Sequence, residues 1–327
     1  MDLKRLRILQ TLARHGTVAA AAESLHLTPS AVSQQLAVLA KEAGVPLLER
    51  HGRGVRLTGA ARVLLTHADA IGVQLERARA DLAAHAHGGV GEARVGGFPT
   101  ALASLVAPAV AHVRETHPGW RFAIVEKETE DAIPLLVAGD LDLAVVMNSP
   151  QVPAADHPTL VLHPLLSEPV HMALPAGHPL ADLPELDLAA DLVDEEWVLT
   201  AEGTACHALA AQACGQAGFQ PRVRHHVTDF GAMYALVAAG LGVAMMPHMS
   251  LASAPPGVAV RPLRAPAPRR HLFAAVRRGS AATPLLNALR DRADGLAESV
   301  RRRPLPPADP RLALSRSGVP GYRDAID

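Results

Sequence analysis

Ser30, Ser33 and Gln34 follow a Thr-Pro pair at helical spacing, and Ala37 and Lys41 continue the same stripe over the next turns. Short neutral groups that donate and accept hydrogen bonds suit a surface laid against base edges, and Gln can bond adenine in bidentate fashion. Solvated helix faces are usually built from Lys and Glu, and this one has neither before Lys41. Thr28 stands at the cap and Pro29 at the first helical position, the preferred chemistry of a helix start. Arg50, Arg53 and Arg56 follow in a short glycine-containing stretch, spaced to neutralise phosphates. Thr28, Ser30, Ser33, Gln34, Lys41, Arg50, Arg53 and Arg56 are therefore the candidate nucleic-acid contacts.

Such a stripe needs a scaffold behind it. Leu3, Leu6, Leu9 and Ala13 give a first helix an apolar face that Gly16 ends, and Thr17 caps a second helix through "VAAAAESL". Val32, Leu36 and Leu39 are out of phase with the polar stripe and predict packing against Leu6, Leu9 and Leu25. The spacing fits a helix-turn-helix, whose second helix enters the major groove. "VPLLERHGRGVRLT" reads as a small wing. Residues 1–58 hold eight basic side chains (Lys4, Arg5, Arg7, Arg14, Lys41, Arg50, Arg53, Arg56) against four acids (Asp2, Glu23, Glu42, Glu49). The whole chain carries a formal net charge of −1, so the basic excess is local, as in a polyanion-binding module.

Residues 59–88 predict one long linker helix. Ala61, Leu64, Ala68, Ile71, Leu75, Ala78 and Leu82 recur at alternating steps of three and four, a coiled-coil seam weakened by its alanines. Leu64, Ala68, Ile71, Leu75 and Leu82 are the dimerisation candidates. Five glycines in "GGVGEARVGG" mark the passage into alternating strands and helices, an α/β pattern that runs to about residue 300. Within it, Pro134 is acceptable only in a first turn, which points to Asp131 as a cap. Residues 301–327 are rich in proline, lack apolar periodicity and read as a disordered tail.

"GTVAAAAESLHLTPSAVSQQLAVLAKEAGVPLLERHGRGVRLTGAA" resembles the N-terminal module of LysR-type transcriptional regulators. The matching positions are Gly16-Thr17, Ala21-Ala22, Leu25, Thr28, Ser33, Leu47-Leu48 with Arg50, and Leu57-Thr58. The sequence departs from the pattern at Leu39-Ala40, Leu48 and Ala61, none of which reads bases. "GDLDLAVV", "HMALPAGHPLA" and "LVAAGLGVAMMP" are similar to the family's effector domain. The resemblance spans about residues 1–300. It implies a winged helix-turn-helix, a linker helix, and a two-lobed effector domain like periplasmic solute-binding proteins. That domain would cover 91–300, with lobe I about 91–163 and 263–300 and lobe II about 164–262. The resemblance also implies double-stranded DNA and a small-molecule effector as partners, and a homodimer or homotetramer.

In such a fold the ligand sits between the lobes. Thr100 and Thr204 read as caps of two helices that begin there, and free N–H groups at helix starts suit a carboxylate. With Asn148, Thr228 and Phe230 they form the candidate site for a small anionic effector. Cys206 and Cys214 offer an alternative, a redox-sensing regulator, because some peroxide-sensing relatives use two cysteines in this region. They fall on one predicted helix, about 12 Å apart along its axis, too far for a disulfide. A solute-binding or transport component is the other alternative; the basic first 58 residues and the lack of a signal peptide argue against it.

Seventeen histidines are scattered without metal-ligand spacing, and no nucleophile elbow, phosphate loop or paired-carboxylate signature is present, so neither metal, cofactor nor enzymatic activity is expected. Hydrophobic residues make up 49% of the chain but aromatics only 3%, so its cores must be aliphatic. Two cysteines and the absence of a long apolar span fit a cytoplasmic protein.

Overall fold

The computed structural model describes residues 1–51, 54–85, 91–149, 152, 157–280 and 284–302. Arg53 and residues 303–327 of the expected tail lie outside them. The chain divides into two compact units. One is Met1–Gly88 with His157–Leu160 and Arg277–Ala281; the other is the remainder.

In the first unit the expected Thr17 and Thr28 caps form, and Asp2 and Thr58 add two more. Asp2 accepts from Lys4 N at 3.0 Å to start α1 (Leu3–His15), and Gly16 ends it at φ 73. Thr17 caps α2 (Val18–Ser24), accepting from Ala20 N at 3.2 Å. Thr28 caps α3 (Pro29–Ala43) through Ala31 N, also at 3.2 Å. Between α2 and α3 the turn takes His26 to φ 53, a left-handed conformation uncommon outside glycine. Leu6, Leu9, Val32, Leu36, Leu39 and Leu47 are buried together. Each contributes about 1.5–3 kcal/mol by leaving water. The wing is an antiparallel pair, β1 (Leu48–His51) and β2 (Gly54–Leu57), in register Leu48↔Leu57. Thr58 then caps α4 (Gly59–His85).

The second unit opens with β3 (Gly91–Gly97). A helical stretch follows as α5 (Pro99–Ala101), a π-turn over Leu102–Val106 and α6 (Ala107–Thr116). Then come β4 (Trp120–Glu126), α7 (Thr129–Ala138), β5 (Leu143–Met147) and the long β6 (Leu160–Pro175). The chain continues through α8 (Leu188–Asp191), β7 (Glu196–Leu199), α9 (Ala205–Gln216), β8 (Arg222–His226), α10 (Phe230–Ala238) and β9 (Ala244–Pro247). It closes with β10 (Val258–Pro262), β11 (Arg269–Arg277) and α11 (Pro284–Arg302), so residues 301 and 302 are helical and not part of a tail.

The strand order is β10-β6-β11-β5-β3-β4, with β9 paired to β6. β3, β4 and β5 are parallel and β11 runs antiparallel to β5, whereas β6, β9 and β10 pair antiparallel. Two cores result. Val95, Leu105, Val145, Leu272 and Leu289 fill the first lobe. Met172, Trp197, Leu199, Cys214 and Val243 fill the second. β6 and β11 lie side by side where the two strand sets meet.

Two helix starts differ from expectation. Pro99 takes the first helical position after Phe98, so Thr100 lies inside the turn and is not the cap. α7 begins at Thr129, with Glu128 as its boundary residue and not Asp131. The Glu128 carbonyl already accepts from Asp131 N and Ala132 N, and Pro134 is carried inside the helix. Having no N–H, Pro134 leaves the Glu130 carbonyl without its helical donor. No described helix is long and apolar enough to cross a membrane.

Candidate functional site

On α3 the two faces separate as the periodicity requires. Val32 and Leu39 are fully buried, while Ser30, Ser33, Gln34, Ala37 and Lys41 are exposed. Thr28 and Ser30 hydroxyls lie 3.0 Å apart at the cap. Gln35, beside the stripe, accepts from Arg5 Nε at 3.0 Å, and Arg5 also pairs with Glu42. These contacts lock α3 to α1, so the exposed stripe is held on a rigid element. In the wing Arg50 is exposed, but Arg56 is paired across the strands with Glu49, Nε to Oε1 2.8 Å, which offsets the charge it presents.

Along α4 the seam divides. Ala68 is buried and Leu64 half-buried against the module's own core, and Gln10 Nε2 donates to Asp69 Oδ1 at 2.7 Å. Ile71, Leu75 and Leu82 remain exposed, at 42%, 39% and 67%.

The second constellation centres on Arg270, at the start of β11. Its Nε donates to Glu168 Oε1 on β6 at 2.8 Å, and Nη2 donates both to Glu168 and, at 3.1 Å, to Thr100 Oγ1. Nη1 lies 3.8 Å from Cys206 Sγ, in the first turn of α9. The guanidinium also sits over the Phe98 ring, 5.1 Å from its centroid. Arg270 and Glu168 are 1% and 0% exposed. Burial opposes the arginine charge, but Glu168, with help from Cys206, outweighs it and keeps the group protonated. Glu168 uses its other oxygen to accept from Met249 N at 2.7 Å. One cation thus ties helix starts from both lobes to the paired strands between them.

Around this centre, Met147 Sδ is 3.7 Å from Cys206 Sγ, and Met147 N donates to the buried Thr129 Oγ1 at 3.1 Å. Glu130, the next residue, has both carboxylate oxygens closed off from solvent, with no side-chain partner. Burial raises its pKa, with Asp131 adding to it, while its own N–H and that of Ala205, at the start of α9, act in the opposite direction. Glu128 is raised too, by burial and by Glu130, while Arg270 draws it down.

Residues 86–297 match the family model of the LysR substrate binding domain, and residues 3–62 match that of the bacterial regulatory helix-turn-helix protein, lysR family. The chain belongs to the LysR family of transcriptional regulators. The transcriptional dual regulator GltC of Bacillus subtilis (strain 168) is 31% identical over 272 residues, 83% of this chain and 89% of GltC. The DNA-binding transcriptional dual regulator OxyR of Escherichia coli (strain K12) is 28% identical over 308 residues, 93% of this chain and 96% of its own. A full-length OxyR variant from Pseudomonas aeruginosa, 26% identical, aligns with a TM-score of 0.59 over 90% of this chain and 97% of that one.

In this LysR-family chain the five effector candidates are placed differently from one another. Thr100 joins the Arg270 cluster. Thr204 does cap α9, accepting from His207 N at 3.3 Å, and it donates to the Ala201 carbonyl at 2.7 Å. Asn148 is spent on the sheet, its Oδ1 accepting from His271 N at 2.8 Å. Thr228 is exposed and Phe230 half-buried against the second lobe's core, with Asp229 capping α10 between them. Arg270, Glu168, Glu130 and Thr129 are not among the candidates that motif and spacing single out. Glu168 is in phase with Leu166, Val170 and Met172, and Arg270 with Leu272 and Ala274. A charge on the inward beat of an apolar strand was the available signal.

Cys206 and Cys214 lie on the same α9 helix and are both free thiols. Burial pushes the Cys206 thiol up against the pull of Arg270, and pushes Cys214 up to about 12. Among the described residues no group of three or more His, Cys, Asp or Glu is placed to hold a metal ion. His171 and His248 form a pair, Nε2 to Nδ1 3.2 Å, in the second lobe.

Proposed function

We propose that the protein binds operator DNA through α3 and the wing, and that a small anionic effector held between its two lobes sets which DNA-bound arrangement is favoured. The observation that carries the DNA half is the exposed, uncharged stripe Ser30, Ser33 and Gln34 on a helix whose other face is fully buried. Base edges are read by Ser30, Ser33 and Gln34 in the major groove with Thr28 beside them at the cap, and Lys41, Arg50, Arg53 and Arg56 meet the phosphate backbone. Ile71, Leu75 and Leu82 pair α4 with its copy, so that two recognition helices reach successive major grooves. A gel shift on DNA flanking the coding region, repeated at raised salt, tests this. Folded protein that shifts no native upstream fragment would refute it.

The effector's carboxylate is received by the first turn of α9. There Thr204 already serves the N–H of His207 and, through its carbonyl, that of Ala208, and the Ala205 N–H faces Glu130, which leaves that of Cys206. Thr100, Thr204 and Asn148 border this place, and Thr228 and Phe230 form the outer wall. Binding there favours one lobe arrangement over another by differential affinity. Calorimetry on Thr100→Val and Thr204→Val proteins tests the reading, and unchanged effector affinity in both would sink it.

A further inference from the structure

We propose that Gln10 and Asp69 set the half-site separation that the dimer accepts on DNA. Their hydrogen bond fixes the angle at which α4 leaves the DNA-binding module, and Gly72 is the point where the helix yields. The inference rests on the DNA reading proposed above and adds a spacing determinant to it.

α4 is tied to the module at two places. At its start Thr58 Oγ1 accepts from Ala61 N and donates to the Pro46 carbonyl at 2.8 Å, while Thr58 N donates to the Leu47 carbonyl at 3.1 Å. Three turns on, Gln10 Nε2 of α1 donates to Asp69 Oδ1 at 2.7 Å. The Asp69 charge also acts on Arg14, four residues beyond Gln10 on the same face of α1. Among the described residues Asp69 is the last of α4 to hydrogen-bond α1, α2 or α3, and the module's core ends one position earlier, at Ala68.

Between the two ties the contact is shallow. Ala61 and Ala68 are buried, and Leu64 and Leu65 only half-buried. Apolar burial is non-directional, so alanines of this kind leave a helix free to roll and tilt on its neighbour. A hydrogen bond to a carboxylate is directional and stronger than one between neutral groups. It therefore selects one crossing angle among those that the alanines allow.

Gly72 stands three residues past Asp69, inside the helix. No atom lies within 4 Å of where its Cβ would stand, so crowding does not require a glycine there. What glycine does supply inside a helix is backbone freedom. Ile71 and Leu75, which join the two copies, flank it. From Gly72 to His85 the helix is a lever of roughly 20 Å, and a tilt of about 10° moves its end by roughly 3.5 Å, about one base-pair step.

Selection from a pool of random-sequence duplexes by the full-length protein, with the retained DNA sequenced, tests this without a known operator. The wild type is expected to enrich paired half-sites at one separation. One base pair added between them should weaken binding roughly 10-fold, within what a hydrogen bond to a charged group can resist. Asp69→Ala and Gln10→Leu should broaden the separations and cut that penalty to roughly 3-fold or less, with the bases preferred inside each half-site unchanged. Asp69→Asn keeps an acceptor for Gln10 and should restore the wild-type separation. Gly72→Ala should raise the penalty, with the dimer retained in sedimentation.

A hydrogen bond that only stabilised the fold would lower binding at every separation alike. An unchanged penalty in both Asp69→Ala and Gln10→Leu, with the wild type still selecting paired half-sites, would overturn the spacing role and leave the DNA reading standing. Asp69→Asn as broad as Asp69→Ala would overturn the hydrogen bond as its agent. Loss of the dimer in Gly72→Ala would overturn the pivot and give that glycine to the contact between copies. Folded wild type that enriches no paired half-sites would overturn the DNA reading and this inference with it.

Discussion

Arg270 and Glu168, on the adjacent strands β11 and β6, form an ion pair with Nε to Oε1 at 2.8 Å and essentially no solvent exposure. Removing one partner strands the other charge in the interior, a loss of about 3–5 kcal/mol. Replacing both with apolar residues avoids that penalty. Arg270→Met and Glu168→Leu are therefore each expected to lower the denaturant midpoint strongly, and the double variant to recover much of the loss. A double variant no more stable than the worse single one would show that the pair is not the unit of stability.

At the other end of the chain, Gln34 and Arg50 should fail in different ways. Gln34→Ala removes a group suited to a base edge and is expected to cost about 1–3 kcal/mol of discrimination at one operator position, with the salt dependence unchanged. Arg50→Ala removes a phosphate contact and should weaken all sequences evenly, lowering the salt slope by about one. Binding isotherms on matched and mismatched sites over a salt series separate the two.

The exposed part of the α4 seam makes a third expectation. Ile71→Glu with Leu75→Glu places charge on the outward face while leaving Leu64 and Ala68 in the module's own core. Sedimentation should show loss of the dimer with the helical signal retained. An unchanged oligomer would move the interface elsewhere on the chain.

How legible this was depends on the range of the cause. The α3 stripe was readable because its cap, its period and its buried face all lie within one short run of the chain, Thr28 to Ala43. The module's partner helices follow the same local logic. Thr100 was misplaced as a cap because Pro99 competes for the helix start, a one-residue effect that propensity resolves poorly. Glu168 and Arg270 left a trace in strand alternation but not their pairing, since two strands distant in sequence must first become neighbours. Glu130 left none. Its burial brings it against the start of α9, whose Ala205 N–H faces it, and nothing near it in sequence announces that.

The cysteines give a negative expectation. Both thiols are pushed upward by burial, and they sit eight positions apart on an intact helix. Peroxide treatment followed by mass spectrometry should find no Cys206–Cys214 disulfide. A disulfide formed with α9 still helical would contradict the geometry outright.

Acid should act on this protein in two opposed ways. His171 is buried beside His248, and its pKa falls from 6.5 to about 4. With the folded value depressed, the unfolded chain takes the proton first as pH falls. Stability is then lost between about 6.5 and about 4, by about 3 kcal/mol when complete. Glu128 and Glu130 have the opposite sign. Their folded values are raised, so their contribution is full below the ordinary carboxylate pKa and lost as pH rises through the folded values. His171→Gln should therefore flatten the fall in stability on the acid side of 6.5. Glu130→Gln should be more stable than the wild type at neutral pH, with the advantage shrinking toward about pH 4. Urea unfolding at a series of pH values reads both. A Glu130→Gln protein less stable than the wild type at neutral pH would mean that the backbone N–H groups facing the carboxylate outweigh its burial.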